Sequence, residues 1–370
     1  MRKVAVIFGG KSCENEISVL TGVFVLQLLD RAKFSPVPLY IHTDGGLYYS
    51  PKMQDLNMFR EGRYAEFKRV VIDGGCVYAV RGKYKKLQKI CQLDVAINCC
   101  HGGLGEGGGV AAMMEWNNVP FASPDLTSSG VFMDKCMTKT VLRALNIPYV
   151  DYIRVNEGDY QKRGAFLLKS IESRLKYPVI IKPSHLGSSI GIAVAHNETE
   201  AKTAIENAFL LDDRVLIEKY LPQKTDVNCA AYCKGGEIFV SEPEEAFGQG
   251  VYSFEEKYVK RKSDGTPEKS GKKKALEGEL RDKIRAYTKT VYKRMNLKGV
   301  VRMDFLISEG KAYLCEVNTV PGSLAYYLFC ERVSDARSFF TVLIEEGLKE
   351  GNEKKLLTTG ILKDVKWQGK

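Results

Sequence analysis

The sequence predicts an α/β protein that begins with a doubly wound parallel sheet and continues with units of mixed α+β type. In the first third of the chain, short apolar runs alternate with helix-like patterns, which is typical of parallel strands joined by crossover helices. These runs are Val4–Phe8, Ile17–Leu29, Val37–Ile41, Leu93–Asn98 and Val110–Trp116. In the last third, the runs Gly299–Ile307 and Lys311–Asn318 follow one another across a short turn, which predicts a strand pair.

The length sets the expected number of domains. The chain has 370 residues, 44% of them hydrophobic, and therefore exceeds the usual domain size of roughly 100–200 residues. We expect three units, at residues 1–130, 131–225 and 226–370. A polar and aromatic stretch at about 42–92 interrupts the first unit and is interpreted as an insertion with short antiparallel strands.

The second and third units each combine strands with long helices. In the second unit, the predicted elements are a helix at Met133–Leu145, strands at Val150–Val155, Val179–Lys182, Ile192–Ala195 and Val215–Tyr220, and helices at Ala165–Leu175 and Glu200–Leu210. In the third unit, they are strands at Val227–Cys233 and Glu237–Glu242, a helix at Gly278–Asn296, the strand pair named above and a helix at Asp335–Lys349.

The composition argues against several classes of protein. The formal charge of +10 is partly local, since residues 257–274 hold eight Lys or Arg against two acids, and no nucleic-acid-binding motif accompanies this run. The run fits either solvated surface or a loop that attracts phosphate. No stretch approaches the roughly 18 apolar residues of a membrane span, and the N-terminal apolar run is too short for a signal peptide.

The ten cysteines are interpreted as reduced, mostly buried thiols of a cytoplasmic protein, because several lie inside apolar runs and no secretion signal accompanies them. A zinc site is not expected. There is no CxxC pair, and the four histidines lack the spacing of zinc ligands.

The strongest chemical signal is the segment 182–191, Lys-Pro-Ser-His-Leu-Gly-Ser-Ser-Ile-Gly, between two predicted strands. Small residues in such a turn let backbone N–H groups approach a polyphosphate, and Lys182 adds a positive charge. A plain Gly/Ser hairpin would have a similar composition. The segment is not a Walker loop, because GK[ST] is missing and a strand follows it.

A second signal lies about thirty residues later, where the apolar strand Val215–Leu221 ends in charged residues. A strand that leaves a sheet at a hinge can offer backbone groups to the edge of an adenine, and a nearby acid, here Asp226, can bind ribose hydroxyls. Taken alone, a pair such as Glu218 and Lys219 is more often a solvated strand end.

Two adjacent strands near the C-terminus carry hard oxygen ligands. The period of two along a strand places Arg302 and Asp304 on one face, and likewise Glu316 and Asn318. Carboxylate and amide oxygens suit Mg²⁺ bound to phosphates. The alternative is a surface hairpin in which Arg302 neutralises the acids.

Together, the loop Lys-Pro-x(3)-Gly-Ser-Ser-x-Gly, the hinge and the Asp…Glu-x-Asn set resemble the ATP-grasp ligases. Three further segments, 8–18, 100–108 and Met133-Asp134-Lys135, resemble the D-alanine–D-alanine ligases within them. The resemblance runs from about residue 3 to 345, except for the insertion. It implies an ATP-grasp fold behind an N-terminal pre-ATP-grasp domain. It also implies a cytoplasmic homodimer of peptidoglycan synthesis that joins two D-alanine molecules through an acyl phosphate, without nucleic-acid or membrane partners.

The resemblance further implies roles for matching residues. ATP would be bound by Lys135, Lys182, Ser188, Glu218, Lys219, Tyr220, Leu221, Asp226 and Lys257. Two Mg²⁺ ions, or Mn²⁺, would be bound by Asp304, Glu316 and Asn318. The ammonium of the first amino acid would meet Glu14, hydrogen-bonded to Ser188 and Tyr258. Arg302 and the Gly322 N–H would stabilise the oxyanion, and His101, Ser323, Tyr326 and Tyr327 would contact substrate.

Several positions depart from the family pattern. Gly107-Gly108 stands where an acid–glycine pair is usual, Ala111 where a glutamine is common, and Asp226 is shorter and one residue out of register. Tyr326 and Tyr327 replace the small hydroxyl residues, often with a histidine, that usually hold the second substrate.

Three alternatives to D-alanine–D-alanine ligation therefore stay open at the sequence level. The first is ligation of D-alanine or another amino acid to D-serine, D-lactate or a larger amino acid, and the second is a catalytically inactive nucleotide-binding homologue. Arg302 and the three acid and amide residues argue against inactivity. The third, a dehydrogenase based on Gly9-Gly10, lacks GxGxxG.

Overall fold

Three β-sheets organise the computed structural model, which describes residues 1–246 and 276–349. The sheets lie within residues 2–98, 152–219 and 225–318. The predicted α/β and α+β fold classes are thus confirmed, while the domain divisions at 130 and 225 stay a prediction. Among the helices of the described ranges, none has both the length and the apolar character needed to cross a membrane.

The N-terminal sheet has a parallel centre. Its strands Arg2–Gly9, Phe34–Ile41 and Val95–Asn98 pair in parallel. Residues Val4 to Phe8 are completely buried because helices cover both faces. The helix Asn15–Leu28 packs on the side of Val4, Val6 and Phe8, and the helix Val110–Trp116 packs on the side of Ala5 and Ile7. This arrangement explains why the first strand is a continuous apolar run.

The stretch at 42–92 forms antiparallel strands, as predicted, but they extend the same sheet outward from Phe34–Ile41. These strands are Leu47–Tyr49, Lys68–Asp73, Cys76–Arg81 and Lys86–Gln92, with a short helix at Asn57–Arg60. The stretch is therefore part of the first sheet and contributes Val70 and Val77 to its core.

The middle sheet is antiparallel and has its own core. Its strands are Tyr152–Asn156, Val179–Pro183, Ala193–Ala195 and Arg214–Lys219, and its helices are Glu157–Arg174 and Glu198–Phe209. Alternate residues of the strands, such as Ile181 and Ile217, pack against Ile171 and Ile205 of the helices. The other strand face points toward the C-terminal part of the chain and carries Lys182 and Glu218.

The third sheet is also antiparallel. Its strands are Thr225–Lys234, Glu237–Val240, Glu244–Glu245, Val300–Ser308 and Lys311–Asn318, and the helix Gly278–Arg294 packs on it. The helix Ala336–Lys349 returns to the N-terminal unit, where Phe340 meets Phe24 edge to face at a centroid distance of 5.9 Å. The first and last helices of the described chain thus share one hydrophobic core.

The helix predicted at Met133–Leu145 is wrong at its start. The structure has two helices, Leu126–Met133 and Lys135–Ala144, separated by Asp134. The Asp134 backbone is extended, and its carboxylate accepts hydrogen bonds from the backbone N–H of Cys136 at 2.8 Å and of Met137 at 3.2 Å. This N-cap separates the two helices, but the spacing of the apolar residues in the sequence continues unchanged across it. As a result, Lys135 is the first residue of a helix.

Candidate active site

A cavity of about 120 Å³ lies where loops of the three sheets meet. Residues far apart in the sequence line it: Glu14, Ile17, His101, Glu106, Phe132, Met133, Lys135, Gly187, Ser188, Arg302, Asp304, Glu316, Val317, Asn318, Val320 and Gly322. Nine of them are predicted site residues, from all three units. The fold therefore gathers the N-terminal loop, the Gly/Ser loop and the C-terminal strand pair around one space.

Glu14 and the Gly/Ser loop meet on one side of the cavity. The largely buried Glu14 carboxylate accepts a hydrogen bond from Ser188 Oγ. A Cβ added to Gly187 would lie 2.7 Å from Glu14 Oε2, and one added to Gly102 would lie 2.5 Å from it. A side chain at either position would displace the Glu14 carboxylate, and at Gly102 the φ of 66° also favours glycine. The result is an anionic group held at the cavity, which suits an ammonium ligand.

Two lysines flank a buried glutamate beneath the middle sheet. Lys139 Nζ lies 2.5 Å from Glu218 Oε1, and Lys182 Nζ contacts Glu218 Oε2. Burial alone would raise the pKa of Glu218, but the two ammonium groups outweigh it and lower this pKa to about 2. The three side chains carry one net positive charge; Lys139 and Glu218 are buried, and 15% of the Lys182 side chain is exposed.

Lys135 continues this positive surface into the cavity. Its ammonium donates to the Leu186 carbonyl at 2.6 Å and lies 3.0 Å from Glu316 Oε1. Lys139, four residues later on the same helix, was missed by the sequence reasoning. The i, i+4 spacing of the two lysines, which places them on one helix face, was the available signal.

The C-terminal acids share a face, as their alternation predicted. Asp304 lies opposite Glu316 in the strand register, and a bulge after Asp304 permits this pairing. Arg302 donates to both Asp304 oxygens, at 2.7 and 2.9 Å, and the Asn318 amide nitrogen donates to Asp304 Oδ2 at 3.0 Å. Two carboxylates and an amide oxygen on one surface are a hard donor set, which fits Mg²⁺ or Mn²⁺.

Glu106 is a cavity residue to which the sequence reasoning gave no role. Its carboxylate accepts from Gly102 N at 2.8 Å and from Val320 N at 3.2 Å. Burial raises its pKa to about 7. The sequence signal was its position in the glycine-rich run after His101. The contact that explains it, Val320, lies more than 200 residues away and could not be read from that run.

Of the four residues predicted to contact substrate besides Glu14, only His101 lines the cavity within the described structure. Tyr327 Oη accepts a hydrogen bond from Arg302 Nη1 at 3.2 Å. Tyr326 packs on Phe24 with ring centroids 4.9 Å apart. The Ser323 backbone N–H donates to the Thr21 hydroxyl oxygen at 3.1 Å. These substrate contacts stay predictions.

The residues predicted to bind adenosine lie at the end of the strand Arg214–Lys219. The backbone N–H groups of Lys219 and Tyr220 donate to Asp151 O at 3.0 Å and Pro178 O at 3.3 Å. Leu221 follows directly. Asp226 forms an ion pair with Lys224 at 3.1 Å. Lys257 and Tyr258, together with the basic run, lie outside the described residues.

A charge network fixes the base of the Gly/Ser loop to the Lys135–Ala144 helix. His185 Nδ1 lies 2.9 Å from Asp212 Oδ1, and His185 Nε2 lies 3.6 Å from Asp134 Oδ2. Asp134, the N-cap of that helix, also contacts Arg214. His185, Asp212 and Asp213 have their ligand atoms within 4.8 Å of one another. Since carboxylates face both ring nitrogens of His185, the cluster is an ion-pair network.

This network predicts a pH dependence of stability. Hydrogen bonds to Asp134 and Asp212 raise the pKa of His185 from 6.5 to about 9. A raised pKa means that the charged ring stabilises the fold fully below about pH 6.5, and that this contribution is lost as the pH rises through about 9. Between pH 7.5 and 10, the melting temperature of the protein is expected to fall several degrees further than that of a His185→Gln variant. Parallel curves for the two proteins, measured by calorimetry, would contradict this role.

Comparisons with known proteins agree with this geometry. Residues 3–124 match the family model for the D-ala D-ala ligase N-terminus, and residues 141–349 match the model for the D-ala D-ala ligase C-terminus. A D-alanine–D-alanine ligase of Thermosipho africanus is 35% identical over 341 residues, 89% of this chain and 88% of the relative. A D-alanine–D-alanine ligase of Thermosipho melanesiensis is 32% identical over 373 residues, 98% of this chain and 99% of the relative.

A solved structure gives the same result at the level of the fold. The crystal structure of the D-alanine–D-alanine ligase from Helicobacter pylori matches with a TM-score of 0.74 and 25% identity, covering 96% of this chain and all of that one. The coverage includes all three sheets.

Proposed function

The chain belongs to the D-alanine–D-alanine ligase family and is an ATP-dependent ligase, and from this premise we propose how its own residues join two D-alanine molecules. The observation that carries the proposal is the meeting in one cavity of Glu14, Lys135, Arg302 and Glu316. In this space, a carboxylate that can bind an amine lies near an ammonium group that can bind phosphates. A guanidinium that can stabilise an oxyanion lies near both.

ATP is bound between the middle and C-terminal sheets. Lys135 and Lys182 hold its phosphates, and the buried charge of Lys139 and Glu218 supports them. The end of the strand at Glu218 to Leu221 receives the adenosine. Lys182, Lys139 and Glu218 together carry one net positive charge, and Lys135 adds an ammonium group at the cavity. This supports the assignment, because phosphates bind fixed cations.

Asp304, Glu316 and Asn318 hold two Mg²⁺ ions. When bound, the metal neutralises charge on the transferring phosphoryl group. The hard oxygen donors on adjacent strands support this assignment, and their contacts with Arg302 and Lys135 show that the acids need cationic neighbours.

In the first step, Glu14 binds the ammonium of one D-alanine and orients its carboxylate. A carboxylate oxygen attacks the γ-phosphorus, the bond from this phosphorus to the bridging oxygen breaks, and ADP leaves. The product is an acyl phosphate. The largely buried Glu14 and the Ser188 contact close the cavity on this side, which limits hydrolysis of that intermediate.

In the second step, the amine of the other D-alanine, having lost a proton, attacks the activated carbonyl carbon. Arg302 and the Gly322 N–H stabilise the resulting oxyanion. The carbon–oxygen bond to phosphate then breaks, inorganic phosphate leaves, and D-alanyl-D-alanine remains.

A Glu316→Gln variant tests the metal assignment. Removing one carboxylate charge is expected to raise the Mg²⁺ concentration needed for half-maximal phosphate release by about 10-fold or more. Substitutions around metal ligands lower metal affinity on this scale. Glu309→Gln, on the exposed turn between the same strands, is the matched control. A Mg²⁺ titration that overlays the wild-type curve would remove Glu316 from the metal site.

A panel of D- and L-amino acids and hydroxy acids, with phosphate release and mass identification of the product, tests the reaction as a whole. We expect phosphate and dipeptide from D-alanine alone. Phosphate that appears only when D-serine, D-lactate or a larger amino acid is added would instead assign a different acceptor. Binding of ATP without turnover in every mixture would indicate an inactive homologue.

The cellular location and the oligomeric state are expectations taken from the family. The ten cysteines, all within the described ranges, are free thiols, which together with the use of ATP favours the cytoplasm. The homodimer is an expectation from the family, and light scattering in solution tests it.

A further inference from the structure

A chain of hydrogen bonds links the first helix to the turn that carries Gly322. The hydroxyl of Thr21, a buried residue of the helix Asn15–Leu28, lies 2.8 Å from His101 Nε2. The other ring nitrogen, His101 Nδ1, lies 2.8 Å from the Val320 carbonyl oxygen. The Ser323 backbone N–H donates to Thr21 Oγ1 at 3.1 Å.

The chemistry of these groups fixes every proton in the chain. A carbonyl oxygen only accepts, so His101 Nδ1 carries the ring proton. Burial lowers the pKa of His101 to about 4, so the ring is neutral near pH 7 and Nε2 accepts. Thr21 therefore donates its hydroxyl proton to His101, and its oxygen accepts from Ser323. No donor in this set is left without an acceptor.

The turn held by this chain is strained. Ser323, Leu324 and Ala325 have φ values of 50°, 53° and 49°. Residues other than glycine rarely adopt this left-handed region, because their Cβ then lies too close to the following carbonyl oxygen. Such a conformation persists only when the surroundings determine it. The burial of Leu324 and Ala325 is one of the constraints that hold the turn in this conformation.

Polar anchors stand on both sides of Gly322. On one side, Val320 donates its N–H to Glu106 and accepts from His101. On the other side, Ser323 donates to Thr21. The peptide groups between these anchors include Gly322, whose own N–H is proposed to face the oxyanion.

We infer that Thr21 is a positioning residue, which acts through His101 and Ser323 to hold both ends of the Gly322 turn and so direct the Gly322 N–H at the oxyanion. The inference rests on the proposed role of Gly322. It also gives His101 a function in addition to any contact with substrate.

The kinetic test compares Thr21→Val with Thr21→Ser. Valine has the shape of threonine without the hydroxyl, whereas serine keeps the hydroxyl. Thr21→Val is expected to lower kcat about 10- to 100-fold, the scale of a misplaced catalytic group, with the KM for ATP changed less than about 3-fold. Thr21→Ser is expected to stay within about 3-fold of wild type. A Thr21→Val enzyme with wild-type kcat, or with a change confined to the KM for ATP, would overturn the inference.

A spectroscopic test observes the network in the wild-type protein and does not depend on turnover. In ¹⁵N-labelled wild-type protein, long-range ¹H–¹⁵N spectra report which ring nitrogen of each of the four histidines carries the proton. His101, assigned by its loss in His101→Gln, is expected to be the Nδ1–H tautomer. An Nε2–H tautomer would refute the network.

The two tests separate this inference from the proposed function. If the wild-type enzyme makes no dipeptide from D-alanine, the proposed function fails while the tautomer still reports on the network. If the tautomer is as expected but Thr21→Val keeps its turnover, the network exists without serving catalysis, and the inference fails alone.

Discussion

Replacing Arg302 by alanine is expected to lower kcat about 100- to 1,000-fold, the usual effect of removing one oxyanion donor. Arg302 lines the cavity, and its side chain is fixed by two bonds to Asp304 and one to Tyr327. It is therefore held ready for charge that develops in the second step. Steady-state kinetics with saturating ATP and D-alanine measure the effect.

Arg302→Lys is the matched control for charge. A lysine keeps the positive charge but cannot bond both Asp304 oxygens and Tyr327 from one planar group. Its kcat is expected to lie between those of wild type and Arg302→Ala. If Arg302→Ala instead kept its kcat and changed only its Mg²⁺ requirement, Arg302 would serve the metal site and not the oxyanion.

Replacing Glu218 by glutamine is expected to lower the free energy of unfolding by about 3–5 kcal/mol, the effect of breaking a buried ion pair by removing one partner. Lys139 is completely buried, and Glu218 neutralises both it and Lys182. The variant leaves both ammonium groups without the carboxylate they share, and that of Lys139 is completely buried. Urea unfolding without nucleotide measures the change.

The exposed pair of Lys33 and Glu345 provides the control. Its atoms lie 2.8 Å apart, close to the distance in the buried pair, but about half of each side chain is exposed. Glu345→Gln is expected to change stability by less than about 1 kcal/mol. Similar losses for Glu218→Gln and Glu345→Gln would mean that burial does not set the strength of the Glu218 network.

The parts of the fold that depend on local periodicity were predictable from the sequence. The alternation of apolar runs such as Val4–Phe8 with helix-like patterns predicted parallel strands with crossover helices, and the period of two placed Asp304, Glu316 and Asn318 together. These features follow from neighbours one to a few residues apart.

The features that depend on contacts between distant segments were not predictable. The helix predicted at Met133–Leu145 begins at Lys135 because the side chain of Asp134 caps it there and meets His185 and Arg214. Neither partner was visible in the apolar pattern. Thr21 has no sequence signal at all, since its partners lie 80 and 302 residues away.

Two departures from the family pattern can be compared with the structure. In the Gly107-Gly108 pair the departure is Gly107, where an added Cβ would lie 3.3 Å from Met133 Cγ, whereas Gly108, with a φ of 107°, stands where the family also has glycine. Tyr327 replaces a small residue, and its hydroxyl contacts Arg302. Tyr326, which is partly buried, packs against Phe24 at the N-terminal core, and the contact of the two tyrosines with substrate stays a prediction.

The central claim is that a carboxylate oxygen of D-alanine attacks the γ-phosphorus of ATP, and ¹⁸O transfer measures this most directly. With D-alanine labelled in both carboxylate oxygens and unlabelled ATP and water, mass spectrometry of the inorganic phosphate reports the origin of its oxygens. The account predicts one ¹⁸O in each phosphate released with dipeptide. Phosphate without ¹⁸O would contradict activation of the carboxylate.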